Sequence, residues 1–124
     1  MKTWLSVMMS VLIVSGLLAA CSPANLNSSE WRLVELNGTP LPVNIDISLS
    51  FQDGQAGGTA ACNGYGAAYS LTGSQLTFGD IVSTLMYCDG IMEYESDYLA
   101  ALTAARNYRL EGGRLIILDD SQVE

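Results

Sequence analysis

Ile45-Asp46-Ile47-Ser48-Leu49-Ser50-Phe51-Gln52-Asp53-Gly54 is the stretch that sets the fold class. Ile45, Ile47, Leu49 and Phe51 alternate with Asp46, Ser48, Ser50 and Gln52. One face is apolar and the other polar, which is the period of a half-buried strand. Asp53-Gly54 then supplies two residues that tolerate positive φ, as a tight hairpin requires. The chain returns through residues 55–59 as the partner strand, so antiparallel pairing is the first expectation.

The same grammar runs outward from there. Asn63-Gly64-Tyr65-Gly66 reads as a turn, with glycines available for positive φ. Tyr65, Ala67, Tyr69 and Leu71 alternate as a strand, and Thr72-Gly73-Ser74-Gln75 turns the chain back into residues 76–78. Residues 81–86 continue toward Cys88 as strand or irregular extended chain. Upstream, residues 30–36 read as the first strand, ended by Asn37-Gly38. Thr39-Pro40-Leu41-Pro42 reads as a connector, because prolines are excluded from a central strand.

From Met92 the period changes. Tyr98, Leu102 and Ala105 fall at helical spacing, with alanines at 100, 101, 104 and 105. Glu93, Glu95 and Asp97 lie early and Arg106 late, the polarity a helix dipole favours. A single helix over about 92–105 is expected. Residues 107–111, Gly112-Gly113 and residues 114–118 then form a hairpin. The whole reads as α+β, mostly β: a small open (cracked) antiparallel barrel or bent sheet. About seven to eight strands are expected, with one helix packed against them.

Chemistry is sparse. The 124-residue chain has no histidine, which removes the usual base for a Ser or Cys nucleophile and the commonest zinc ligand. Gly57–Gly64 lacks the Gly-Lys-[Ser/Thr] ending of a phosphate loop and sits between strands, so bulging or close strand packing is its expected role. Asp119-Asp120 and the early helix acids lack calcium-loop spacing. No catalytic residue, metal site or cofactor is expected. Thirteen acidic side chains face four arginines after Lys2, for a chain net charge of −8. Such a surface repels phosphate backbones, so no nucleic-acid partner is expected. A monomer is.

The N-terminus carries an address. Lys2, an apolar run and then Leu18-Ala19-Ala20-Cys21 have the form of a secretory signal peptide, and the last four residues resemble a bacterial lipobox. Three readings stand: a lipoprotein anchored through Cys21, an uncleaved membrane anchor of the minimum spanning length, and a plain cleaved signal. The first is taken here. It places a signal peptide at 1–20, a lipid-anchored tether at 21–29 and one domain at 30–124. With Cys21 acylated, Cys62 and Cys88 remain. In an oxidising compartment a structural disulfide is favoured over a redox or metal pair, since there is no CxxC spacing. Closing that loop contributes roughly 3 kcal/mol in the chain-entropy account.

Several spaced elements together resemble the META/HslJ domain family of small bacterial envelope proteins. They are Trp31-x-Leu33, Leu36-Asn37-Gly38, Cys62-Asn63-x-Tyr65-x-x-x-Tyr69, Leu76-x-Phe78, Thr84-x-Met86-x-Cys88 and Glu95-x-x-Tyr98-x-x-x-Leu102. Ala61 departs from the pattern, standing where the family usually has glycine. The resemblance marks Asn63, Tyr65, Tyr69, Thr84, Met86 and Glu95 as motif residues and implies that Cys62 is linked to Cys88. It implies a β-rich domain with a packed helix, resident in the cell envelope and associated with heat or drug stress, motility or secretion.

At the level of fold it is similar to the cracked barrels of secretion pilotins, which hold acyl chains and chaperone secretins. Ser22 after the lipidated cysteine resembles outer-membrane sorting. The expected function is therefore a non-enzymatic, lipid-anchored envelope protein facing the periplasm, binding a partner protein or peptide. The alternative is a carrier of an acyl chain or small apolar ligand in the barrel interior.

Overall fold

The computed structural model of the chain describes residues 26–121. The signal peptide, the lipidation site Cys21 and the start of the tether lie outside the described residues.

The elements in order are β1 (Ser29–Arg32), β2 (Glu35–Leu36), β3 (Thr39–Pro40), β4 (Ser48–Gln52), β5 (Gln55–Ala60), β6 (Asn63–Thr72), β7 (Gln75–Phe78), β8 (Val82–Ser83), α1 (Met92–Ala104), β9 (Asn107–Glu111) and β10 (Arg114–Leu118). The sheet runs β1-β4-β5-β6-β7-β9-β10, with β8 added beside β6 and β2-β3 forming a separate hairpin. Its seven-strand path curls into a nearly closed antiparallel barrel with one unsealed seam. The expected mostly-β, cracked-barrel architecture with one helix is what the described residues adopt.

Local chemistry explains the turns. Asp53 and Gly54 both take positive φ, 49° and 82°, and join β4 to β5 with Gln52 opposite Gln55. Gly57 and Gly58 lie where strands approach closely: a Cβ on Gly57 would sit 2.7 Å from the Tyr65 carbonyl, and one on Gly58 would collide with Ser48. Close packing, not phosphate binding, accounts for them.

The core joins Ile47, Leu49 and Phe51 of the alternating strand region to Leu76, Tyr65, Tyr108, and Tyr98 and Leu102 from α1. Phe51 meets Tyr69 edge-on with ring centroids 4.9 Å apart, and Phe78 lies at 6.3 Å. Each such buried side chain stabilises by roughly 1.5–3 kcal/mol relative to exposure. Arg106 caps the helix, its guanidinium donating to the Thr103 and Ala105 carbonyls.

Four expectations need correction. The β5–β6 turn is at Ala61-Cys62, and Asn63-Gly64-Tyr65-Gly66 belongs to β6, pairing Ala60 with Asn63 through Gly57 with Gly66. Ala61 takes φ 64°, a region in which an L side chain is strained. The first strand ends at Arg32, and the following residues 35–36 pair with Thr39-Pro40 over the Asn37-Gly38 turn. Proline is accepted there because this two-strand ribbon has free edges. Finally Leu26, read as tether, is 1% exposed and belongs to the core.

Candidate functional site

Three segments distant in sequence converge on Asn63. The β5–β6 turn delivers Cys62 and Asn63, the chain after β8 delivers Thr84 to Cys88, and the first turns of α1 deliver Glu95. The Cys62–Cys88 disulfide, spanning 26 residues with Cα atoms 5.8 Å apart, ties the first two together.

Asn63 is 2% exposed, and its amide is saturated. Its Oδ1 accepts from the Thr84 hydroxyl at 2.8 Å and the Met86 N–H at 2.7 Å. Its Nδ2 donates to the Met86 carbonyl at 3.0 Å and to Glu95 Oε2 at 2.7 Å. Two donors and two acceptors are the full capacity of the group. Glu95, 5% exposed, also accepts the backbone N–H of Asn63 at 2.7 Å and of Cys62 at 3.2 Å through Oε1. Glu95 therefore does more than complement the helix dipole. It turns inward and holds the β5–β6 turn against α1.

One helical turn on, Tyr98 continues the cluster. Its hydroxyl is hydrogen-bonded to that of Tyr65, with the rings edge-on at 5.5 Å. The Tyr65 hydroxyl also donates to the Ser48 carbonyl at 2.7 Å. Burial pushes the Tyr65 phenol up to about 12, partly offset by its bond to Tyr98. Burial raises Tyr98 as well, reinforced by the neighbouring Tyr65. Both phenols are held neutral, which suits hydrogen bonding and not nucleophilic chemistry.

The structure thus brings Cys62, Asn63, Thr84, Met86, Cys88 and Glu95 into one cluster, with Tyr65 beside it. Tyr69 is apart, packed on Phe51. Among the described residues no three His, Cys, Asp or Glu side chains gather as metal ligands.

The network holds the Met86 backbone and leaves its neighbours in solvent. Leu85 is 96% exposed, Met86 58% and Tyr87 78%. Three consecutive large apolar side chains stand outward on a loop fixed by a disulfide and a saturated amide. Sequence reasoning placed Tyr98 on the apolar helix stripe and did not bring it, Leu85 or Tyr87 to this cluster. Two signals pointed to them: the Glu95-x-x-Tyr98 spacing puts both on one helix face, and Thr84-x-Met86-x-Cys88 leaves Leu85 and Tyr87 as the intervening positions.

A second feature lies at the seam. There a groove of about 460 Å³ separates β1 from β10, with Ser48 and Leu49 of β4 and Tyr98 and Leu102 of α1 among its walls. It shares no residue with the 84–88 loop.

A family model for the META domain matches residues 24–124. No curated protein matches the chain. Among solved structures it is similar to the NMR structure of a protein from Burkholderia xenovorans, at 25% identity and TM-score 0.64, covering 83% of this chain and 86% of that one. A second protein solved by NMR is similar at 21% identity and TM-score 0.65, covering 82% and 90% respectively, and that likeness concerns the fold alone. The META match spans all of the described residues, so the chain belongs to the META domain family.

Proposed function

We propose that this protein is a non-enzymatic, lipid-anchored envelope module that docks a partner protein of the envelope through the loop at Leu85-Met86-Tyr87. The reading links it to stress tolerance or secretion, with acylated Cys21 holding the domain at the outer membrane, facing the periplasm. The observation that supports it is the contrast within one loop: the backbone is pinned by Asn63 and the disulfide while the side chains are exposed. Aromatic and methionine side chains are enriched at interface centres. A loop already held in place loses little conformational freedom on binding. The non-enzymatic part rests on the missing histidine and on an Asn63–Glu95 network whose polar groups are engaged with one another.

A carrier of an acyl chain would need interior space, and Phe51, Tyr69 and Phe78 pack together inside the barrel. The seam groove, about 460 Å³, is a space open to it outside that packed interior.

A photo-crosslinking residue placed at Tyr87 in intact cells tests the docking reading. One discrete adduct, abolished by Leu85→Ser and retained by an exposed control such as Thr103→Ser, is expected. No adduct under heat or drug stress, or one indifferent to Leu85→Ser, would overturn it. Membrane fractionation of Cys21→Ala tests the anchor: release from the membrane is expected, and an unchanged fraction would mean the apolar segment itself anchors the chain.

A further inference from the structure

The seam has a parity. Every neighbouring pair on the path from β1 to β10 is antiparallel, and the path has seven strands. An odd count leaves the two edge strands pointing the same way. The barrel cannot close on itself in the pattern used everywhere else. One further strand, running opposite to both edges, would complete it as an antiparallel eight-strand barrel.

The edges themselves are equipped for that. Leu33 N–H donates to the Ile47 carbonyl across the β1–β4 pair at 2.9 Å. By alternation, the backbone groups of Glu30 and Arg32 face the seam. On β10, the Gly112-Gly113 turn makes Glu111 and Arg114 the flanking pair, and the Leu118 carbonyl accepts from Arg106 N–H at 2.8 Å on the β9 side. Leu115 and Ile117 therefore turn their N–H and C=O groups to the groove.

Charge sets the occupant's sign. At the rim Arg32 faces Asp46 and Arg114 lies 4.0 Å from Glu35, so both cations already have carboxylates, and Glu30 adds one more acid. The chain as a whole carries −8.

We propose that the seam is a strand acceptor: an extended cationic peptide with alternating apolar side chains inserts between β1 and β10, antiparallel to both, and closes the barrel. Its backbone satisfies the groups of Glu30, Arg32, Leu115 and Ile117, and its inward side chains meet Trp31, Leu33 and Leu102. An alkyl chain in the same groove would desolvate those backbone groups and pair none of them. This site is separate from the docking loop.

The test adds the peptide Ac-Lys-Val-Thr-Val-Thr-Val-Lys-NH2 to the purified protein and follows amide hydrogen exchange by NMR. Exchange at Glu30, Arg32, Leu115 and Ile117 is expected to slow at least tenfold, and the same peptide N-methylated at alternate residues is expected to have no effect. Leu115→Pro and Glu30→Pro, each removing one seam-facing donor at a sheet edge, should weaken the response at least tenfold. Unchanged exchange at saturating peptide overturns the proposal, as does an equal response to the N-methylated peptide. Concentration-dependent dimerisation that protects the four amides without peptide would assign the seam to a second copy and overturn it too. So would oleate filling the groove in place of the peptide. Leu85→Ser should leave the peptide response unchanged, so the seam and the loop fail independently.

Discussion

Around Asn63, every side-chain polar atom has a protein partner and a disulfide closes the loop. Between β1 and β10, two strand edges face a groove of about 460 Å³, with Arg114 of β10 paired to Glu35 of β2 at its rim. The first region uses covalent and buried polar bonds to hold backbone still while presenting apolar side chains. The second leaves backbone itself presented. Order was built where side chains are displayed, and hydrogen-bonding capacity was left where backbone is displayed. The two regions would recognise partners by different chemistry, the loop by shape and apolar contact, the seam by strand pairing.

The largest effect that would sharpen this contrast is expected at the buried amide. Asn63→Ala leaves Glu95 Oε2, the Thr84 hydroxyl and the Met86 N–H and C=O without their partner, and should lower stability by about 3–5 kcal/mol in urea unfolding. A loss under about 1 kcal/mol would mean that the cluster does not brace the loop. Next come Cys62→Ala and Cys88→Ala, each expected to cost about 2–4 kcal/mol, equal to one another and to the double variant. Unequal losses would mean that the thiols act separately.

The tyrosine pair gives a pH dependence of intermediate size. Tyr65 has its folded pKa raised from the ordinary 10.0 to about 12 by burial. Its contribution is fully present below pH ~10 and is lost as pH rises through about 12, a loss of roughly 2–3 kcal/mol. Tyr98 shifts in the same direction. Unfolding followed with phenolate absorbance should show this alkaline limb in the wild type and a shallower one in Tyr65→Phe. Identical limbs would place the cause elsewhere.

Smaller still is Ala61→Gly. Relief of the φ 64° strain, less the extra freedom of the unfolded chain, should raise stability by about 0.5–1 kcal/mol. A loss would show that Ala61 sits in the turn without strain. The smallest effect is expected at the seam: Arg114→Ala removes an exposed pair and should change stability by under about 0.5 kcal/mol. A larger loss would make that pair a structural clasp and bring the two regions closer in kind.

Much of the scaffold could be read ahead of the structure, and the reasons are local. Asp53-Gly54 and Gly112-Gly113 adopt positive φ because their chemistry permits it, and each sits between strands whose apolar periods are intact. Residues 92–104 become α1 because alanines and the Tyr98–Leu102 stripe agree. What escaped reading had no local mark. Alanine at 61 carries no local signal for positive φ, and only the glycine usual there in the resembling family hints at the turn, so local reading puts the turn two residues later. Leu26 is one apolar residue in a polar stretch, and only its tertiary packing makes it core. Acids opening a helix already have a sufficient explanation in the dipole, which concealed the inward turn of Glu95.

Sequence alone determined the strand periods, the tight turns, the helix, the excess of acid and the cysteines available for pairing, because each depends on neighbours a few residues apart. Tertiary structure alone decided that Asn63 meets Thr84, Met86 and Glu95, that Leu85 and Tyr87 stand in solvent, and that the seam stays open. Those outcomes depend on how a curled sheet brings distant segments together and on the parity of its strand count, which no local pattern encodes.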